Sequence, residues 1–232
     1  MTLLDVMAFI LFICAWAGMS WLGGGAVWVS RRALPQAMGE HRKAWMRTVL
    51  TRDTRITDAA VMGGLQNGTA FFASTTIFAI GGCLGLLGSA DRIVNLFSDL
   101  PVALSVDRAN VELKIVGLTA IFVYSFFKFG WSYRLFNYCS IVVASIPVLE
   151  RMEHDPAAAK RVADCAATLN IMAGKHFTAG LRAIFFALGY LGWMLGPLMF
   201  MLSTVIVLAV LIRRQFFSSA RKALINGLDK LE

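Results

Sequence analysis

AAVMGGLQNGTAFFASTTIFAIGGCLGLLG, residues 59–88, runs for thirty residues without a charged side chain. Roughly 20 apolar residues at about 1.5 Å rise each match a hydrocarbon core of about 30 Å, so a helix here is long enough to cross a bilayer. Stretches near residues 3–29, 111–134 and 183–212 read the same way. The fold class that follows is all-α: a polytopic helical membrane protein with about four transmembrane helices, residues 1–232 forming a single membrane domain.

Composition agrees. The chain is 58% hydrophobic and 16% charged, against about 25% charged in soluble domains. The net charge of +8 does not point to nucleic acid, because the cations flank the apolar runs, where they meet lipid headgroups, and no nucleic-acid motif accompanies them. The expected partners are therefore membrane lipids, together with further copies of the chain or another membrane protein. Ala15-Trp16-Ala17 mimics a signal-peptidase site, but a basic n-region is missing, Asp5 stands in its place, and the apolar run continues to Val29. The first stretch thus reads as a retained span. Cys14, Cys83, Cys139 and Cys165 are scattered singly, the pattern of packing thiols rather than of a metal or haem motif.

Between the spans, two segments read as amphipathic helices on the cytoplasmic side. Residues 40–50 interleave His41, Arg42, Lys43 and Arg47 with Ala44, Trp45, Val49 and Leu50, as in a helix lying in the membrane interface, the alternative being a solvated basic loop. Asp155-Pro156 starts a second, over 156–174, with an acid at the N-cap and proline at the first helical position. Thr57-Asp58 reads as the start of the second span. Residues 89–110, weakly acidic, read as an external loop. After Arg134 the chain stays apolar to Pro147. Either the third helix continues past Arg134 as an interfacial extension, or Leu135 to Leu149 turns back as a short fifth crossing. With four spans, loops 30–58 and 128–182 hold 14 Lys or Arg and the other segments 8, which places both loops in the cytoplasm. A five-span arrangement gives the same 14 to 8, so charge bias does not choose between them.

Two polar stretches interrupt the apolar runs. On a helix, Gln66, Thr69, Ala73 and Thr76 share one stripe, with Asn67, Ala70 and Ser74 beside it. Gly64 with Gly68, Gly81 with Gly85, and Gly192 with Gly196 add GxxxG spacings. Small and hydroxylated residues let helix backbones approach and hydrogen-bond, so Gln66, Asn67, Gly68, Thr69, Ser74 and Thr76 form a candidate packing face. The competing reading is a polar pathway through the membrane. The second stretch is KFGWSYRLFNY, residues 128–138, with Lys128, Ser132, Arg134 and Asn137 as a candidate intramembrane charge cluster. Lys128 lies within about two turns of its span's cytoplasmic end and can snorkel among Trp131, Tyr133 and Tyr138. Alternatively it faces the interior with Ser125 and Ser132 as an anion contact.

These two runs and the order of spans resemble the uncharacterised bacterial membrane family known as domain of unknown function 599. The resemblance covers most of the chain and implies a polytopic inner-membrane protein. It carries no established activity, so it assigns no role to any residue.

Catalytic chemistry has little support. His41, His154 and His176 form no HExxH pattern, and no GxSxG, P-loop or intramembrane carboxylate pair occurs. Catalytic, cofactor-binding and metal residues are therefore all expected to be none, and no cofactor is expected. The reading adopted is a non-enzymatic multi-pass inner-membrane protein, a helix-packing scaffold or accessory subunit. Its alternatives are a small oligomeric channel or transporter using Gln66–Thr76 and Lys128, and a membrane-surface enzyme.

Overall fold

A computed structural model of the chain describes residues 2–23, 33–91, 107–147 and 155–228, and among these it is helical with no strand. The helices are α1 (Leu3–Gly23), α2 (Leu34–Val49), α3 (Ile56–Leu87), α4 (Arg108–Ala144), α5 (Pro156–Tyr190), α6 (Pro197–Phe216) and α7 (Ser219–Leu228), with a 3-10 turn over Leu191–Leu195. Five stretches are long and apolar enough to cross a membrane: α1, α3, α4, α5 with the 3-10 turn, and α6 with α7. That is one more than the four expected.

The extra span comes from two corrections. The segment 156–174 is not a separate interfacial helix. It is the first half of α5, which runs unbroken for 35 residues. The expected span 183–212 is not one helix either. It is cut at Gly196, the one described residue with a left-handed backbone (φ 117°), and restarts at Pro197. Glycine tolerates that φ, and proline begins a helix where its missing N–H costs nothing. The Gly192–Gly196 spacing is therefore a turn, not a helix face. Of the two readings after Arg134, the structure has the continuous extension. α4 is 37 residues long, a rise of about 56 Å against a core of about 30 Å. Asp155 behaves as read, its Oδ1 accepting the Ala158 N–H at 2.8 Å. Asp58 lies in the first turn of α3 as read, while the helix already begins at Ile56, one residue before the Thr57 expected at its cap.

The described chain divides into two compact units. The first contains α1, α3 from Ser74 onward, α4 up to Phe127, and Gly180–Arg213. α1 buries Asp5, Ala8, Phe12, Ala15 and Met19, a three-and-four spacing that forms one inward stripe, while Leu4, Ile10 and Leu11 on its other faces are exposed. Phe12 sits at the centre, its ring 5.2–5.7 Å from those of Trp16, Phe186, Tyr190 and Phe200. Of the 36 exposed large hydrophobic side chains in the described residues, 26 belong to this unit. It carries four Lys or Arg and four Asp or Glu among its described residues.

The second unit contains α2, α3 up to Ala73, Lys128–Ala179, and the chain from Arg214. Its core joins Met46 and Val49 of α2, Met62 of α3, Cys139 and Val143 of α4, and Ala159, Ala166 and Ala167 of α5. Three alanines on α5 allow close helix approach with little side-chain entropy to lose. α2 starts at Ala33, whose N–H donates to Gln36 Oε1 at 3.1 Å. It also packs on α7, where His41 Nε2 meets the Leu224 carbonyl at 2.9 Å. Thirteen Lys or Arg stand against five Asp or Glu in the described part of this unit.

Candidate functional site

α3 carries two stripes of period 3.5 on opposite sides. Met62, Thr69, Thr76 and Cys83 are buried at seven-residue intervals. Facing away from them, Gly64, Gly68, Phe71, Thr75, Phe78, Gly82 and Gly85 are all exposed. A Cβ added at Gly63, Gly64, Gly68, Gly81, Gly82 or Gly85 would meet nothing within 4 Å. The candidate packing face is thus not a single surface. Thr69 and Thr76 point inward, and Thr69 Oγ1 bonds the Leu65 carbonyl at 2.7 Å. Asn67, Gly68 and Ser74 point outward.

Gln66 turns instead towards α4. Its Nε2 donates to Ser140 Oγ at 2.9 Å, and Ser140 donates on to the Phe136 carbonyl at 3.1 Å. The two line a cleft of about 300 Å³ with Arg55, Met62 and Val143. Arg55 closes one side, donating to the carbonyls of Ile146 (2.5 Å) and Pro147 (2.7 Å). Carbonyls at a helix C-terminus have no partner within the helix and attract cations, which explains an arginine there.

The residues of the 128–138 run diverge. Ser132 is fully buried and donates to the Ala173 carbonyl at 2.8 Å, while Ser125, in the first unit, donates to that of Gly180 at 2.9 Å. Both hydroxyls thus bind α5 backbone rather than a shared ligand. Arg134 is exposed and pairs with Tyr138 Oη at 2.6 Å, its guanidinium 5.9 Å from the Trp131 ring centre. Arg134 thus meets two of the three side chains Trp131, Tyr133 and Tyr138. Lys128 and Asn137 are half-buried. Of the four cysteines, Cys83 and Cys139 fill the core as expected, but Cys14 and Cys165 are exposed.

Three buried polar nodes were not singled out from the sequence. Asn170, fully buried, accepts from Arg42 Nη1 through its Oδ1, while its backbone carbonyl takes the same nitrogen at 3.2 Å. Its Nδ2 lies 3.4 Å from Met62 Sδ and 3.6 Å from Cys139 Sγ. The Arg42 guanidinium also lies over the Phe136 ring, and burial pulls its pKa below the usual arginine value. At the second node, Asp58 Oδ1 accepts from Trp45 Nε1 (2.7 Å) and Arg52 Nη1 (2.6 Å), leaving its Oδ2 buried and without a hydrogen bond among the described residues. The third is in the first unit, where Asp5 Oδ1 accepts from Trp193 Nε1 at 2.8 Å and Lys114 Nζ donates to the Trp193 carbonyl at 2.8 Å. Lys114 gave the same signal as Lys128, a cation in an apolar run.

No three His, Cys, Asp or Glu converge as a metal-holding group among the described residues. The site elements are helix faces, one cleft and buried polar nodes, set in five helices long enough to span a bilayer. By length and composition the fold is that of a multi-pass membrane protein. The family model described as "Protein of unknown function, DUF599" matches residues 7–220, and the chain belongs to that family. No curated protein and no solved structure matches it.

Proposed function

We propose that the protein is a non-enzymatic scaffold of the bacterial inner membrane that associates with further copies of itself through the outward stripe of α3. The carrying observation is that stripe: Gly64, Gly68, Phe71, Thr75, Phe78, Gly82 and Gly85, exposed at period 3.5, with no described residue within 4 Å of a Cβ at its glycines. Period 3.5 is the spacing of a left-handed helix pair, and small residues are what such pairs need where backbones meet. Lipid tails are as apolar as the Phe side chains here, so the gain from association lies in close packing over the glycines. The basic excess of the second unit supports contact with cytoplasmic headgroups, and the apolar, charge-balanced surface of the first supports immersion in hydrocarbon.

Gly68→Leu and Gly82→Leu test this reading. A Cβ at either position meets nothing within 4 Å among the described residues, so the monomer should keep its thermal stability while an oligomer seen for wild type in nanodiscs is lost. A wild-type protein that is monomeric at all concentrations, or an oligomer that survives both substitutions, would refute self-association through α3. The cleft between Gln66 and Ser140 favours a second reading, a solute pathway. Proteoliposome flux abolished by Gln66→Leu would establish that reading over the scaffold.

A further inference from the structure

The first unit holds a second concavity, a groove of about 430 Å³ between α1, α4 and the end of α5. Its volume is within the roughly 300–1,000 Å³ of small-molecule sites. Phe9, Ile13 and Trp16 form one wall, Gly117 and Tyr124 the other, and Tyr190 the floor. Phe9, Ile13 and Tyr124 are 38–47% exposed, so the groove opens on the unit's apolar surface.

Tyr190 is only 2% exposed, its ring held against Phe12, Trp193 and Phe200 at 5.3–5.5 Å. Its hydroxyl makes no hydrogen bond to any described residue. It projects over Gly117, and a Cβ there would collide with it, standing 3.0 Å even from Cζ. A buried phenol normally finds a partner for its hydroxyl. This one has a glycine-sized opening into a groove instead.

We propose that the groove binds one acyl chain of a membrane phospholipid, with the Tyr190 hydroxyl donating to that chain's ester carbonyl. The hydrocarbon walls fit the tail, and the single neutral donor fits a neutral acceptor better than a phosphate. The level also suits an ester. Asp5 precedes Phe9 by four residues and Lys114 precedes Gly117 by three, each about one helical turn away, and both belong to the polar node on Trp193. The groove therefore begins one turn inside a polar rim, at the depth where glycerol esters sit, and runs from Phe9 to Ala17 over about 12 Å of α1. This inference rests on membrane immersion of the first unit and is independent of self-association through α3.

The test is native mass spectrometry on detergent-purified, delipidated protein titrated with dioleoyl phosphatidylethanolamine or its dialkyl ether analogue, which lacks the carbonyls. Wild type should bind one diester molecule per chain about fivefold more tightly than the diether, as one net hydrogen bond implies. Tyr190→Phe, which removes a single oxygen, should abolish that preference while leaving diether binding unchanged. Ala120→Trp, from an exposed position on the groove, should remove tight binding of both lipids at unchanged melting temperature. Equal binding of the two lipids by wild type, or graded uptake that Ala120→Trp does not alter, would overturn the proposal in favour of non-specific annular lipid. Loss of an oligomer on Ala120→Trp without any change in lipid binding would overturn it in favour of a protein contact. The same spectra report the oligomeric state, so failure of the α3 interface is scored separately.

Discussion

Replacing Asn170 by leucine keeps the number and branching of its side-chain heavy atoms but removes the only side-chain acceptor of Arg42 among the described residues. The guanidinium keeps the residue-170 carbonyl at 3.2 Å and the Phe136 face. Its Nη1 loses one charge-assisted bond, worth about 1.5–3 kcal/mol in a buried setting. The Nδ2 contacts to sulfur, at 3.4 and 3.6 Å, are weak and add little. At roughly 2–4 °C per kcal/mol for a chain of this size, melting should fall by about 3–12 °C. The assay is tryptophan fluorescence during heating in one detergent, with wild type, Asn170→Leu, Arg42→Met and the double variant side by side. Because the leucine costs stability by stranding a buried cation, removing that cation should rescue it. The double variant is then expected to lie at least about 1 kcal/mol above the sum of the single losses. Asn170→Asp, which keeps an acceptor and supplies a counter-charge, should lie near wild type. An Asn170→Leu protein as stable as wild type, or strictly additive losses, would refute the claim that this node locks α2 to α5.

Gly196→Ala forces an L side chain into φ 117° and should cost about 1–2 kcal/mol, measured by the same melting assay. Reporter fusions at Ala158 and after Leu228 should report the same side of the membrane, because α5 with its 3-10 turn and α6 with α7 are each long and apolar enough to cross once between them. A fusion at Ser98 should report the opposite side, and Ala158 and Leu228 on different sides would return the four-span count. Lys128→Arg should stay within about 0.5 kcal/mol of wild type if the side chain reaches headgroups, since arginine reaches them too. A large loss of stability or of partner recovery would place Lys128 at an interior contact.

The membrane class was legible because it depends on run length alone. Thirty uncharged residues have few alternatives to a spanning helix, and α3 covers nearly the whole quoted stretch. The Asp155-Pro156 start was legible for a local reason, since a cap needs only its own first turn. What the sequence did not disclose were facing and partnership. The hydroxyls between Gln66 and Thr76 look like one surface until Thr69 and Thr76 are found on the buried stripe and Ser74 on the exposed one. In a helix whose every face is apolar, hydropathy carries no phase, so only the seven-residue recurrence of Met62, Thr69, Thr76 and Cys83 marks the inward side. Asn170 was invisible for a similar reason. A lone amide in an alanine-rich helix announces nothing until Arg42, 128 residues away, arrives beside it.

The difference of one between about four expected spans and five stretches long enough to cross has another physical reason. Counting loops assumes that helices end where hydropathy ends, and here they do not. α5 carries Lys160, Arg161 and Asp164 in its first half and Phe185, Phe186 and Tyr190 in its second, one continuous helix that is charged and amphipathic before it is apolar. The first half is too polar to read as a span by itself, so it looks like a loop helix. The break that separates α5 from α6 is written in two residues, Gly196-Pro197, inside a run that otherwise reads as uniformly apolar. Glycine supplies a backbone conformation that no other residue adopts cheaply, and proline supplies a helix start with no N–H to satisfy. Those two residues outweigh the hydropathy around them, because a turn is decided by the φ of one residue and a span by the average of twenty. The fifth stretch long and apolar enough to cross follows from that pair.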